Sequence, residues 1–137
     1  MDFHTHHKLP TNAVLQLYSD AGWTLYTNNP EQLTRAIQNS SYVLSAWDGE
    51  ELVALLRAVG DGETILYIQD ILVLQAYQGQ GIGSTLMKMA LEAHAQVRQV
   101  VLITDQDIGL HAFYRKAGLK EVEAIGLSGF VRVNPKL

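Results

Sequence analysis

Residues 70–87 read DILVLQAYQGQGIGSTLM. The apolar run Ile71–Leu74 leads into a turn rich in glycine, after which apolar residues recur at helical spacing. The stretch predicts a buried strand, a glycine loop and a long helix. The first N–H groups of a helix lack partners within it and carry the positive end of its dipole. Glycines let those amides approach a phosphate closely, so we expect a diphosphate site here.

On the N-terminal side of this stretch, the sequence predicts two helices followed by antiparallel strands. A terminal strand is predicted at 2–7, then a helix at 13–18 capped by Thr11 and Asn12, and then a β-prone segment at 23–27. The next helix is capped by Asn29, begins with Pro30 and has Leu33 and Ile37 on one face. A hairpin of 42–47 and 51–59 that turns at Asp48 and Gly49 follows, and then a central strand at 64–74.

On the C-terminal side, the helix after the glycine loop has its apolar face at Leu86, Met87, Ala90, Leu91 and His94. A buried parallel strand at 99–103, a helix at 107–117 that ends at Gly118, and last strands at 119–123 and 130–133 follow. Hairpins followed by one strand-helix-strand-helix unit predict a mixed α/β sheet, neither doubly wound nor a helix bundle. The 137 residues are expected to form a single domain.

Composition narrows the possible partners. The net charge is −4, so no basic field attracts nucleic acid or anionic lipid. No apolar run approaches the length of a membrane span or of a signal-peptide core. The absence of cysteine excludes disulfides, thiolate metal sites and a cysteine nucleophile, and fits a reducing compartment. We therefore expect a cytoplasmic protein that binds neither membrane nor nucleic acid.

Two other glycine motifs compete for the loop. A Walker loop needs Lys before Ser or Thr, but Gly83 is followed directly by Ser84. Gly79, Gly81 and Ser84 nearly satisfy the dinucleotide fingerprint, which predicts nicotinamide-dependent redox chemistry. That fingerprint turns straight from strand to glycine, whereas residues 75–78 intervene here and antiparallel hairpins precede the unit.

The stretch resembles the GCN5-related N-acetyltransferase (GNAT) family. The loop motif of that family, Gln/Arg-x-x-Gly-x-Gly/Ala, is matched by Gln78, Gly81 and Gly83, and its second signature by residues 113–119, FYRKAGL. The order of predicted elements agrees as well, so the resemblance covers most of the chain. Two residues depart from the family pattern: Gln78 stands where many members have Arg, and Asp107 stands where Asn is frequent.

The resemblance implies a GNAT-like fold, with a largely antiparallel mixed sheet splayed at the cofactor site and flanked by helices. It implies acetyl-coenzyme A as the acyl donor, with no metal. The pantetheine arm would pair with the backbone of Ile71, Leu72 and Val73. The pyrophosphate would take amide hydrogens from the loop and helix start, at Gln78, Gly79, Gln80, Gly81, Ile82, Gly83 and Ser84.

The resemblance also implies that Tyr114 protonates the departing thiolate. A phenol with a pKa of about 10 keeps its proton at neutral pH, although a tyrosine that only packs its helix on the sheet is the alternative. Deprotonating an alkyl amine of pKa about 10.4 at pH 7 costs about 4.6 kcal/mol. Members of the family often place a Glu or His on the strand before the glycine loop as a base that acts through water. The corresponding positions fall on Tyr67 and Gln69, neither of which is a normal base, so water held by these two side chains and an acceptor amine of low pKa are two alternatives. Asp70 is a carboxylate, but by alternation it faces away from them unless a bulge intervenes; a buried, satisfied carboxylate is the other possibility. The base stays unassigned.

The remaining polar and aromatic candidates have plainer explanations. His4, His6 and His7 fit a solvated strand better than a metal site, and His94 and His111 fit helix surfaces or packing. Trp23 and Trp47 would be core or acceptor-site walls, and Asp105 and Asp107 would be caps.

The sequence thus predicts acetyl transfer to a primary amine of a small molecule or peptide, by direct attack through a tetrahedral intermediate. The alternative is a catalytically silent acyl-coenzyme A sensor of the same fold. The last strand at 130–133 could pair across a homodimer.

Overall fold

A computed structural model describes residues 1–135. The strands are β1 (Asp2–His4), β2 (Tyr42–Asp48), β3 (Glu51–Gly60), β4 (Ile65–Val73) and β5 (Gln99–Leu102). The helices are α1 (Thr11–Asp20), α2 (Thr24–Thr27), α3 (Pro30–Gln38), α4 (Ile82–Ala93) and α5 (Ile108–Lys116), with 3-10 turns at Gln75–Tyr77 and Val122–Ile125. Backbone contacts divide the chain into two compact units, residues 1–103 and the segment from residue 104 onward.

The first unit contains a five-stranded mixed sheet. Its order is β1-β2-β3-β4-β5, and every neighbouring pair is antiparallel except β4 and β5. The parallel pair follows from the α4 crossover, because a hairpin cannot join parallel strands. The predicted mixed α/β sheet is confirmed. The strand predicted to be central, β4, has neighbours on both sides only over Ile65–Ile68, and the middle strand of the sheet is β3.

Helices α1 and α4 cover the sheet. Helix α1 contacts β3 and β4, and α4 contacts β2, β3 and β4. Leu17 of α1 and Leu86, Met87 and Ala90 of α4 are almost completely buried. Each such large apolar side chain contributes about 1.5–3 kcal/mol by leaving water. The sheet and these two helices therefore hold the glycine loop on a rigid frame.

The predicted helix at α3 and the hairpin of β2 and β3 are present. Asn29 Oδ1 accepts from Gln32 N (3.2 Å) at the start of α3, as the sequence predicts. The hairpin turns one residue later than predicted. Asp48 pairs with Glu51, so the two loop residues are Gly49 and Glu50, and only Gly49 has a positive φ (+61°). Gly at the first loop position gives a type II′ turn.

Three predictions for the first 30 residues are wrong. The terminal strand predicted at 2–7 ends at His4, because only Asp2–His4 pair with β2. The β-prone segment 23–27 forms no strand, and residues 24–27 are the short helix α2. The segment lies between α1 and α3, where no strand is available to pair with it. Thr11 and Asn12 do not cap α1. They lie inside its first turn, since Val14 N already donates to Pro10 O (3.1 Å).

Three predictions for the C-terminal third are also wrong. β5 is an edge strand that is exposed to half-buried, and Ile103 beyond it is 61% exposed. Residues 119–123 form no strand, and the 3-10 turn Val122–Ile125 begins within them. Residues 130–133 pair with no strand among the described residues, and Phe130 is 96% exposed. A segment rich in β-forming residues becomes a strand only beside another strand. The homodimer contact proposed through a strand at 130–133 therefore has no such strand in the described chain.

Candidate functional site

The glycine loop ends in four backbone amides that have no acceptor. Gly79 and Gly81 have φ of +80° and +83°, in the left-handed region that glycine enters freely. Gly81 is the N-cap of α4, and no side chain caps this helix. The first helical bond runs from Thr85 N to Gly81 O (3.0 Å), so the N–H groups of residues 81–84 donate to nothing among the described residues. At the positive end of α4, they offer the geometry of an anion site.

The space around the loop glycines is open. A Cβ built on Gly79 or Gly81 would meet nothing within 4 Å. A side chain there would strain the backbone without touching the protein. The fold therefore requires glycine for the backbone conformation alone, and room for a ligand remains beside the free amides.

One backbone edge of β4 is open over its second half. β5 pairs only with Ile65–Ile68, whereas β4 continues to Val73. On the other side of β4, Leu74 N donates to Val53 O (2.9 Å) of β3. Bonded and non-bonded pairs alternate along antiparallel strands, so the N–H and C=O groups of Ile71 and Val73 point away from β3. In residues 1–135 no strand fills that edge.

The residues predicted to pair with pantetheine differ in what they offer. Leu72 pairs with Leu55, and its own backbone groups point to β3. Ile71 and Val73 have the groups on the open side. Gln78 lies at the loop end of this edge, where its Nε2 donates to Val73 O (3.1 Å). The open backbone edge ends at Val73, and the free amides of α4 begin at Gly81, with seven residues between them.

β4 carries an extra residue at the point where β5 ends. Arg57 of β3 pairs with Asp70, and Ala58 pairs with Ile68, so Gln69 has no partner on β3. This arrangement is a β-bulge, which interrupts the alternation of side chains along a strand. The bulge on which the sequence prediction for Asp70 depended is therefore present.

Asp70 is the centre of a buried hydrogen-bonded network. Its carboxylate accepts from Tyr18 Oη (2.9 Å), Tyr26 Oη (3.1 Å) and Arg57 Nε (2.8 Å). Asp70 is 2% exposed. Gln69 Nε2 donates to the same Tyr26 Oη (3.1 Å). The side chains of Gln69 and Asp70 therefore meet at one phenol, on one side of the sheet.

This network shows Asp70 as a buried carboxylate satisfied by its neighbours, the second of the two possibilities that the sequence left open. Three donors surround it, and its side chain is almost completely buried. Sequence reasoning missed Arg57, Tyr18 and Tyr26. A signal existed, because Arg57 is the only charged residue in 52–59 and Asp70 the only one in 65–74. Lone opposite charges on adjacent apolar strands predict a buried pair.

Tyr18 makes the stability of the fold sensitive to alkaline pH. Burial, together with the Asp70 carboxylate, raises the pKa of Tyr18 well above its ordinary value of 10.0. Above pH 10 the unfolded chain loses this proton first, so the free energy of unfolding should fall by up to about 1.4 kcal/mol per pH unit. Urea unfolding at pH 8, 10 and 11 should show a shallower fall in Tyr18→Phe. Equal slopes in the two proteins would contradict this assignment.

Tyr114 lies in the second unit, on α5. It is half-buried, and its ring packs edge-on against Phe113 with centroids 5.1 Å apart. Burial raises the pKa of Tyr114, and the Thr104 side chain partly opposes that shift. The phenol thus stays protonated at neutral pH, as a proton donor must. Asp107 caps α5 by accepting from Leu110 N (3.0 Å), which confirms its predicted capping role.

Four of the five histidines lie within hydrogen-bonding distance of a backbone oxygen, and for His6 this is Lys8 O, 3.0 Å from Nδ1. His7 Nε2 lies 2.6 Å from Ser40 O, His94 Nδ1 2.7 Å from Ala90 O, and His111 Nε2 3.2 Å from Asp105 O. In the described part of the chain, no three His, Asp or Glu side chains come together as a metal site. No helix among residues 1–135 has the length and apolar character needed to cross a bilayer.

Known acetyltransferases are similar to this protein along most of its chain. The model of the acetyltransferase (GNAT) family matches residues 11–119. The FG08082 protein of Gibberella zeae is 29% identical over 126 residues, which are 88% of this chain and 68% of that protein. The chain spans 58% and 50% of two other curated relatives.

Solved structures show the same likeness. The GNAT-family acetyltransferase SP0256 from Streptococcus pneumoniae has a TM-score of 0.86 and 35% identity, with 98% of each chain covered. An aminoglycoside acetyltransferase from a soil metagenome, meta-AAC0020 in complex with sisomicin, has a TM-score of 0.70 and 19% identity, covering 99% of this chain and 95% of that one. The second likeness is one of fold alone.

Proposed function

This chain belongs to the acetyltransferase (GNAT) family, and from that premise we propose that it transfers an acetyl group from acetyl-coenzyme A to a primary amine of a small molecule or peptide. One observation carries the proposal. Four free amides at the start of α4 follow, after the glycine loop, a strand whose backbone edge is open. An anion with an amide-bearing arm, such as coenzyme A, fits this combination.

In this proposal the loop and the strand hold the two parts of the donor. The amides of residues 79–84 bind the pyrophosphate, and those of residues 81–84 have no competing acceptor within the described chain. The amide of Gln78, which the sequence also predicted for this role, already donates to Gln75 O (3.3 Å). The free groups of Ile71 and Val73 pair with the amides of the pantetheine arm, as an added strand would. Gln78 releases or shares Val73 O when the arm enters. The donor supplies the acetyl group as a thioester at the end of that arm.

The proposed reaction needs one proton at the thiol. The amine nitrogen attacks the thioester carbonyl, the C–N bond forms and the C–S bond breaks. Tyr114 gives its proton to the leaving sulfur, and the nitrogen releases a proton to water. Because burial raises its pKa, Tyr114 keeps that proton over the whole neutral range.

The donor half of the proposal is tested by calorimetry with coenzyme A and acetyl-coenzyme A. We expect binding in the micromolar range, and no binding at millimolar concentration would refute the proposal. The acceptor half is tested by thiol release with a polyamine, a lysine-containing peptide and sisomicin as acceptors. Sisomicin is included because it is bound in the neighbour of the same fold.

A silent sensor is the second candidate function, and the burial of Asp70 favours it, because the one carboxylate of β4 is closed off from any amine. Tight binding of acetyl-coenzyme A with no thiol release for any amine would decide for the sensor. Turnover with one amine would decide for the enzyme.

Gly81→Ala, compared with a control glycine outside the loop, should distinguish the effect of backbone strain on stability from the loss of coenzyme A binding. Alanine at a φ of +83° costs about 1–2 kcal/mol and relaxes by moving the N–H groups out of line. We expect the dissociation constant for coenzyme A, measured by calorimetry, to rise at least tenfold, or about 1.4 kcal/mol.

Gly62→Ala is the matched control, because Gly62 has a φ of +79° and nothing within 4 Å of an added Cβ. It should destabilise the fold as much as Gly81→Ala while leaving the affinity for coenzyme A intact. If Gly81→Ala and Gly62→Ala bind coenzyme A with equal affinity, the glycine loop is not part of the coenzyme A site.

A further inference from the structure

The bulge of β4 places a phenol and an exposed amide side by side at the point where β5 ends. We infer that Tyr26 and Gln69 bind the amino group of the acceptor, as the residues that position it for attack. This inference rests on the proposed acetyl transfer and deepens it, because it assigns the side chains that recognise the amine.

The polarity of the network fixes which atoms Tyr26 offers to a ligand. The carboxylate of Asp70 can only accept, so Tyr26 must spend its one hydroxyl proton on Asp70 Oδ1. The phenol oxygen then presents lone pairs alone. One of them accepts from Gln69 Nε2 at 3.1 Å, and the other has no partner among the described residues. A ligand at this oxygen must bring an N–H or O–H group.

The same logic orients Gln69. Because Tyr26 Oη can only accept here, the amide of Gln69 must turn its Nε2 toward it, which leaves Oε1 directed elsewhere. Gln69 is exposed and is bonded to no other described residue. The pair thus presents two acceptor oxygens, a set that suits the several N–H groups of an amine and repels a carboxylate or phosphate.

The position along β4 fits the proposed direction of the donor. The pyrophosphate amides lie at the loop end of the strand, so the thioester lies toward the other end of the open edge. Gln69 is the first residue of β4 beyond its pairing with β5, which ends at Ile68. Val73 lies four positions after Gln69, which is about 13 Å of strand. The reactive end of an extended arm would therefore reach the region of Gln69.

The surroundings hold Tyr26 in place. Its ring packs on those of Tyr18 and Trp23, with centroids 5.2 Å and 5.9 Å away. Asp20, just before the segment that carries Tyr26, accepts through Oδ2 from Gln75 N (2.8 Å) in the turn after β4. The segment is therefore fixed to the strand along which the donor is proposed to lie.

Tyr26 does not act as the base in this arrangement. Burial, together with the Asp70 carboxylate, raises the pKa of Tyr26, so its phenol stays neutral. Passing its proton to Asp70 would neutralise a carboxylate that Arg57 stabilises at 2.8 Å. Tyr26 therefore orients the amine and leaves proton removal to water.

Steady-state kinetics of Tyr26→Phe test the inference, with the amine of the panel that gives the highest kcat/KM. We expect KM for that amine to rise about tenfold, the worth of one hydrogen bond to an amino group, with KM for acetyl-coenzyme A within twofold of wild type. Gln69→Met, which keeps the length of the side chain without its polar atoms, should shift KM for the amine in the same direction.

Tyr18→Phe is the matched control, because Tyr18 also donates to Asp70 but is completely buried. It should lower the melting temperature and leave KM for the amine within twofold. If Tyr26→Phe leaves that KM unchanged, or if both tyrosine variants shift it equally, the inference is wrong while the acetyl transfer stands. If no wild-type turnover occurs with any amine, the proposed function fails, and this inference fails with it.

Discussion

Tyr114→Phe is expected to lower kcat by at least about 100-fold while leaving the dissociation constant for acetyl-coenzyme A within twofold of wild type. Proton transfer by a positioned side chain contributes about 10²–10⁴-fold in rate. The substitution removes only the hydroxyl, and the phenylalanine ring can keep its packing on Phe113. Thiol release measures the rate, and calorimetry measures the affinity for the donor.

Tyr42→Phe is the control for this experiment. Tyr42 is likewise half-buried, its pKa is also raised by burial, and its ring packs on His94 in the first unit. Loss of that hydroxyl should leave kcat within about twofold, as is usual for substitutions away from a site. A Tyr114→Phe enzyme that turns over at the wild-type rate would show that water or another group protonates the thiol.

Arg57→Met should give the largest loss of stability among single substitutions in the buried network. It leaves the carboxylate of Asp70, 2% exposed, without its cation. Removing one partner of a buried ion pair costs about 3–5 kcal/mol, because the remaining charge is neither solvated nor compensated. The free energy of unfolding, measured in urea at pH 7, reports this loss.

The double variant Arg57→Met/Asp70→Asn distinguishes a stranded charge from lost packing. The asparagine is neutral and can still accept from Tyr18, so most of the stability should return. If the double variant is as unstable as Arg57→Met, packing of the arginine stem explains the loss, and the ion pair contributes little.

The parts of the fold that sequence predicted are those encoded locally. The loop and α4 follow from glycines at 79, 81 and 83 and from the apolar spacing of Leu86, Met87 and Ala90. The start of α3 is marked by two adjacent residues, Asn29 as the N-cap and Pro30 as the first helical residue. Such signals need no knowledge of distant contacts, because a helix start or a tight turn is satisfied by its own neighbours.

The parts that sequence did not predict depend on pairing over long distances. The bulge at Gln69 exists because the register of β3 against β4 changes between Arg57 and Ala58, which no pattern within β4 reveals. Tyr26 meets Asp70 across 44 positions of the chain. The segment 130–133 has strand composition but no neighbouring strand among the described residues. The composition of a segment indicates a preference for strand, but a strand forms only where a neighbouring strand can pair with it.

The open edge of β4 has a consequence for the lifetime of the protein. A donor molecule lying along Ile71 and Val73 would complete the sheet, and it would bind the native chain but not the unfolded one. Ligand at 100 times its dissociation constant stabilises a fold by about 2.7 kcal/mol. If acetyl-coenzyme A is the donor, cells rich in it would degrade this protein more slowly than starved cells, so the abundance of the protein would follow the supply of the proposed donor.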